Sequence, residues 1–315
     1  MSFISQEYLI MNQENNNHKV CTYDGITLFT QDKGCIAHIL KNSEKYKLQG
    51  SYDITTNQTL WKFSGKYKNF TISAVTNSKG NGIRLGGSLH KWKNQVHNYD
   101  TFKWGEFLKA YYEIINEFRL DPCNTVIWSL ESGLNNPLPN HLKYKARDIP
   151  ENTLLLNGDP KKSSRSKYAH DGYGLENQRG ECKQKLYDKG VQFSVGYEIL
   201  RTECSCKRRP LAKHGLITLE DLIDYDKHLL YGNYLIKTFE TLLLFQPEIL
   251  LNPSLSDIDR LFLLEFNNTI SWNKLRKKSD YQFKKARKRI LSLIDQHCEI
   301  NYRSEILNLM NSQLH

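Results

Sequence analysis

The stretch KQKLYDKGVQFSVGYEILRTECSCKRR, Lys183 to Arg209, sets the reading of the whole chain. It has the pattern of two strands joined by a short turn. The first strand carries Leu186 and Tyr187 and ends at the breaker pair Lys189-Gly190. The second runs through Tyr197, Ile199, Arg201, Glu203 and Ser205. Period-2 alternation puts Arg201 and Glu203 on one face of the second strand, with Leu200, Thr202 and Cys204 on the other. The same alternation puts Lys189 on the face of Tyr187. A phenol, a lysine two residues on and an Arg-x-Glu pair make a compact polar set. Phosphate chemistry can use such a set as nucleophile, cations and metal-holding carboxylate. The same residues also fit a half-buried aromatic beside a surface ion pair.

Outward from this stretch, composition bounds the answer. A chain of 315 residues holds one large domain or two modest ones. Lysine plus arginine outnumber aspartate plus glutamate 44 to 34, a net charge of +10 that favours a polyanionic partner. The 18 tyrosines and 5 tryptophans offer stacking surfaces for bases. No run approaches the roughly 20 apolar residues of a membrane span, and MSFISQEYLIMNQENNN lacks the basic region and cleavage site of a signal peptide. The seven cysteines are scattered, and Cys204-Ser205-Cys206 lacks zinc spacing, which fits a reducing cytoplasm. Walker A, G-x-G-x-x-G and G-x-S-x-G motifs are missing, so nucleotide hydrolysis and esterase chemistry have no motif here.

Along the chain, residues 1–18 are polar, Asn-rich and expected to be disordered. Val20 to Trp92 has the pattern of short strands: KVCTYDGITLFT, TLWKFSGKY, NFTISAVTN and GIRLGGSLHKW, the last two joined at Lys79-Gly80-Asn81-Gly82. An amphipathic helix is predicted from Tyr99 to Phe118, followed by the strand CNTVIWSLESG. A basic, Gly- and Ser-rich segment then holds Lys161, Lys162, Arg165 and Lys167. It suits either a solvated loop or an arm ordered by DNA. Beyond Pro210 helices are predicted over Leu216–Phe245, Asp257–Ile270, Tyr281–Cys298 and Asn301–Ser312. The third opens with Lys284, Lys285, Arg287, Lys288 and Arg289 ahead of an apolar seam. Those cations suit a solvated helix face or a DNA contact.

YDKG, then LRTEC-x-x-KRR, then LAKHGLITLEDL resembles the closing core of the gene II/X replication initiators of filamentous phages and their plasmid relatives. The Tyr-x-Lys strand followed by an Arg-x-Glu strand is also similar to the Rep-trans plasmid initiators. GSLHKWKN, Gly87 to Asn94, resembles a strand motif of these families. The resemblance spans roughly Gly87 to Leu222. It implies nicking of one DNA strand to start rolling-circle replication, with the protein joined to DNA through a tyrosine. Carried over by residue, that tyrosine is Tyr187, with Lys189 and Arg201 beside it, and Glu203 is a metal ligand. Glu131 in VIWSLESGLNN occupies the other acidic position, with Ser129 where arginine is usual. Hard oxygen ligands from Glu131 and Glu203, completed by Asn135, suit Mg²⁺ or Mn²⁺. No His-hydrophobic-His triplet is present; His90 is a reserve ligand and His97 is not used.

The expected fold is α+β. An antiparallel-sheet catalytic domain of Rep/relaxase type with flanking helices would span residues 19–215, and an all-α, DNA-contacting region 216–315. The expected partners are origin DNA, bound also by Arg208 and Arg209, and a host helicase. No membrane is expected. Two other functions fit the same residues: a mobilisation relaxase with the same chemistry, and a DNA-binding replication regulator without catalysis.

Overall fold

A computed structural model describes residues 16–51, 62–77, 80–94, 97–156, 159–160 and 174–315. The fold is α+β. Nine strands follow the order β2-β3-β4-β5-β1-β6-β11-β10-β9, and a smaller sheet pairs β12-β7-β8, with β12 at Leu243–Leu244. The chain divides into two compact units, one of Met1–Gly133, Cys204–Asn233 and Leu314–His315, the other of Leu134–Glu203 and Tyr234–Gln313. The division falls inside two strands, so β6 (Val126–Pro137) and β11 (Ile199–Lys207) each belong partly to both.

Unit one carries β1 (Tyr23–Thr30), β2 (Gln49–Ser51), β3 (Lys62–Tyr67), β4 (Phe70–Asn77) and β5 (Gly80–Ser88), all paired antiparallel. Gly80 opens β5 at φ +113°, a conformation that needs glycine. Alternation sends Leu28, Ile72, Leu85 and Ile127 to one face, where they are at most 1% exposed. Helix α3 (Trp104–Phe118) packs there: Phe107 meets Tyr23 and Phe118 meets Phe70.

Three expectations for this unit change. Lys33–Lys41 is a helix, α1, within a region read as strands. Asp32 caps it by accepting from Cys35 N–H, and Cys35, Ile39 and Leu40 form its buried stripe. GSLHKWKN is not one strand. β5 ends at Ser88, whose hydroxyl accepts from Lys91 N–H, and Leu89–Asn94 is helix α2. Helix α3 starts at Trp104 rather than Tyr99, because Glu106 accepts from Lys103 N–H while Asp100 is turned toward Asn94 and His90.

Unit two contains α4 (Asp148–Asn152), β7 (Thr153–Leu156), β8 (Asp159–Pro160), β9 (Gly174–Arg179), β10 (Cys182–Asp188) and α5 (Lys189–Phe193). The tight turn expected at Lys189-Gly190 is thus a one-turn helix. Asp188 caps it by accepting from Val191 N–H. Beyond β11 and α6 (Arg208–Ala212), the single helix expected over Leu216–Phe245 is broken. A 3₁₀ turn, Leu219–Ile223, stops at Asp224, and α7 runs from Tyr225 to Glu240.

The last helices are α8 (Asp257–Phe266), α9 (Thr269–Lys278), α10 (Asp280–His297) and α11 (Tyr302–Leu314). Asn268 accepts from Ser271 N–H and starts a new helix where one continuous helix to Ile270 was expected. Their core gathers Leu263, Phe266, Trp272, Phe283 and Ile290 against Leu155 and Phe245. No helix among the described residues is long and apolar enough to cross a membrane. Cys21, Cys35, Cys123, Cys204 and Cys298 are free thiols.

Candidate active site

The site grows from two strands of unit two. On β11, Arg201 and Glu203 share one face, and Arg201 Nε donates to Glu203 Oε1 at 2.9 Å. On β10, Tyr187 O–H donates to the same oxygen at 2.7 Å, and Lys185 Nζ donates to Glu203 Oε2 at 2.8 Å. Lys189, first residue of α5, reaches back so that its Nζ lies 3.3 Å from Tyr187 Oη and 5.4 Å from the ring centroid. The expected nearness of Lys189 to Tyr187 therefore comes from a helix start, not from strand alternation. Asn135 on β6 accepts from Arg201 Nη1 at 3.1 Å.

The electrostatics follow from burial. Tyr187, Lys189, Arg201 and Glu203 are each at most 4% exposed. Burial alone would drive the Glu203 carboxyl to its neutral form. Arg201 and Lys185 beside it, with the Tyr187 hydroxyl, outweigh that cost and hold it well below the usual carboxylate range. An ionised Glu203 is a fixed acceptor and a hard oxygen donor, and a weak base.

Glu203 also belongs to an acidic group. Asp24, Glu131 and Glu203 each offer a carboxylate oxygen, and these atoms lie within 4.8 Å of one another. Asp24 is a residue that sequence reading passed over. In β1 the register shifts between Tyr23, opposite Ser132, and Ile26, opposite Leu130. Asp24 and Gly25 therefore face the single residue Glu131 as a β-bulge, which re-aims a side chain. A Cβ on Gly25 would stand 3.3 Å from Glu131 Cβ, a tight contact that would press on the Glu131 side chain. Asp24 is 3% exposed, accepts from the Ser88 hydroxyl, and accepts from Asn98 Nδ2 at 2.7 Å. The sequence signal was Tyr23-Asp24-Gly25, an acid beside glycine inside an apolar strand. Three carboxylates in one group fit a hard divalent cation such as Mg²⁺ or Mn²⁺.

No family model matches the chain, and no curated protein does. Among solved structures, the chain is similar to a rolling circle replication initiator protein from Geobacillus stearothermophilus. The two are 10% identical, with a TM-score of 0.38, over 77% of this chain and 91% of that one.

The remaining site candidates are dispersed. His90 is buried in α2, stacked on Phe102 at 4.6 Å and paired with Asp100 at 2.7 Å. Ser129 faces Thr27 across β1 and β6. Arg208 and Arg209 are exposed at the start of α6. Lys161, Lys162, Arg165 and Lys167 lie outside the described residues. On α10, Lys285 and Lys288 are exposed, while Lys284 pairs with Asp280 at 2.7 Å. Arg289 donates to Asp259 at 2.7 Å and covers the Phe262 ring, and Arg287 donates to the Glu240 carbonyl at 3.1 Å.

Proposed function

We propose that this protein is a DNA-nicking and joining enzyme that initiates rolling-circle replication of a phage or plasmid through a phosphotyrosine intermediate. One observation carries the reading: the Tyr187 hydroxyl sits between Lys189 and Glu203, and Glu203 belongs to a three-carboxylate group. The resemblance of YDKG and LRTEC to initiator motifs points the same way.

In the proposed step, Tyr187 Oη bonds to phosphorus, one phosphodiester P–O bond breaks, and the leaving sugar oxygen gains the proton equivalent that the phenol loses. A phenol of ordinary pKa near ~10 is a poor nucleophile at neutral pH. Lys189 stabilises the phenolate, and Glu203 orients the hydroxyl without retaining its proton. Arg201 holds Glu203 and Asn135 in place. Asp24, Glu131 and Glu203 are the residues that would hold a divalent cation. Bound there, it would supply positive charge to the scissile phosphate. Because an ester bond is exchanged for an ester bond, the same site can rejoin the strand without ATP.

Covalent capture on a single-stranded origin oligonucleotide tests this. The wild type should form an adduct that maps to Tyr187. Tyr187→Phe should form none while binding DNA within a few-fold, since the ring and its packing stay. Adduct at wild-type level from Tyr187→Phe, or no adduct from the wild type, sinks the reading. The latter result would leave a DNA-binding regulator without catalysis.

A further inference from the structure

The sheet face of unit one that bears Asp24 and Glu131 continues past them as an unusually low surface. One row across β1, β5, β4 and β6 is Thr27, Gly86, Thr71 and Ser129, made of hydroxyls and a glycine. The next row is different. Phe29 pairs with Arg84, and a second register shift, between Thr27 and Leu28, leaves Trp128 as the extra residue of β6. The bulge brings Trp128 over to the same face, 6.0 Å from the Phe29 ring. The Arg84 guanidinium lies 5.3 Å from the Trp128 centroid.

Two features of this pair call for a ligand. Trp128 is 36% exposed although it covers Phe29, which is 8% exposed. Arg84 Nε is buried without a hydrogen-bond partner, and among the described residues no carboxylate pairs with this guanidinium. Other arginines of the chain, such as Arg201 and Arg289, are answered by Glu203 and Asp259. A cation without an anion, held against an exposed indole, matches one phosphate and one unpaired base. The row of small side chains lets a sugar-phosphate backbone approach the sheet closely. Along β6, Trp128 is three residues from Glu131, about 10 Å at strand rise.

We propose that Arg84 and Trp128 form a subsite for a single DNA strand, the indole stacking on an unpaired base and the guanidinium holding a phosphate, with Thr27, Gly86 and Ser129 as the floor leading to the carboxylates. This rests on the nicking reading for its biological meaning, but its test is separate. It also gives Trp128 a positioning role: the base it holds sets which phosphate reaches the acidic group.

The experiment is anisotropy titration of the full chain with fluorescein-labelled oligo(dT), the matching duplex, and oligo(dT) carrying abasic sites. Trp128→Ala should bind the single strand about tenfold more weakly, and Trp128→Phe should recover most of that loss. Duplex affinity should change little. Abasic substitution should weaken the wild type and leave Trp128→Ala nearly indifferent. Arg84→Ala should lower the salt slope on the single strand by about 0.7. The proposal is overturned if a folded Trp128→Ala variant binds oligo(dT) like the wild type, if it loses duplex equally, or if abasic sites weaken both proteins alike. A missing Tyr187 adduct alongside the expected binding losses would remove the nicking reading and leave this subsite standing.

Discussion

Two groups of cations in this chain live under opposite conditions. Around Glu203, Arg201 and Lys189 are 3% and 2% exposed, and fixed partners stand at hydrogen-bond distance. On α10, Lys285 and Lys288 project into solvent from a helix whose other side packs on Trp272 and Phe266. Burial turns a charge into geometry: desolvation is costly, so each buried charge must be answered, and the answered group is held still. Exposure leaves a mobile charge whose attraction is long-range and screened by salt. The first arrangement suits a reaction coordinate, and the second suits non-specific attraction to a polyanion.

The sharpest way to break the contrast is at Glu203. Glu203→Ala removes the carboxylate that answers the buried Arg201 and the part-buried Lys185 and should lower folding stability by about 3–5 kcal/mol, read by denaturant unfolding. Nicking should disappear as well. Unchanged stability would mean that these charges are solvated like those of α10.

Next comes the acidic group. Asp24→Asn or Glu131→Gln should weaken Mn²⁺ binding, followed by titration calorimetry, by more than the roughly 10–100-fold that loss of an outer-shell partner costs. EDTA should abolish wild-type nicking. Cleavage undiminished by EDTA would move the electrostatic role to Lys189 and Arg201.

A pH test sharpens the meaning of burial. His228 is wholly buried, its Nε2 accepts from Thr22 N–H at 2.9 Å, and desolvation pushes its pKa from 6.5 down to about 3. Between those values the unfolded chain takes up a proton that the folded chain refuses. Stability should therefore fall as pH drops from about 6.5 toward 3, by up to about 1.4 kcal/mol per pH unit. His228→Gln should flatten that part of the profile in equilibrium unfolding.

The smallest effects belong to α10. Lys285→Ala with Lys288→Ala should reduce the duplex salt slope by nearly two units and leave the thermal transition in place. The Arg289–Asp259 pair, partly exposed, should couple by only about 0.2–1 kcal/mol in a double-mutant cycle. A larger slope change from Arg289→Ala than from the two lysines would reverse their roles.

The two regions also differ in how far they were legible in advance. Strand alternation of period 2 was enough to put Arg201 beside Glu203, because both lie on one strand two residues apart. Helical spacing was enough to find the buried seam of α10, with Phe283, Ala286 and Ile290 at intervals of three and four. Helix starts were less legible. Asp32, Ser88 and Asn268 each cap a helix that apolar pattern alone ran into a neighbouring element.

What lay beyond reach were the long-range features that no motif marked; Glu131 with Glu203 was expected from the resemblance, and Asp24 was not. Asp24 meets Glu131 only because β1 lies against β6 with a bulge, and neither the pairing nor the bulge leaves a periodic mark. Arg287 and Arg289 look like Lys285 and Lys288 in a list of basic residues. Only packing brings the Glu240 carbonyl and Asp259 to the first pair and leaves the second in water. Local spacing encodes which face a side chain takes, since that depends on a few dihedral angles. Which charge answers another across the fold depends on long-range closure, and no window of sequence contains it.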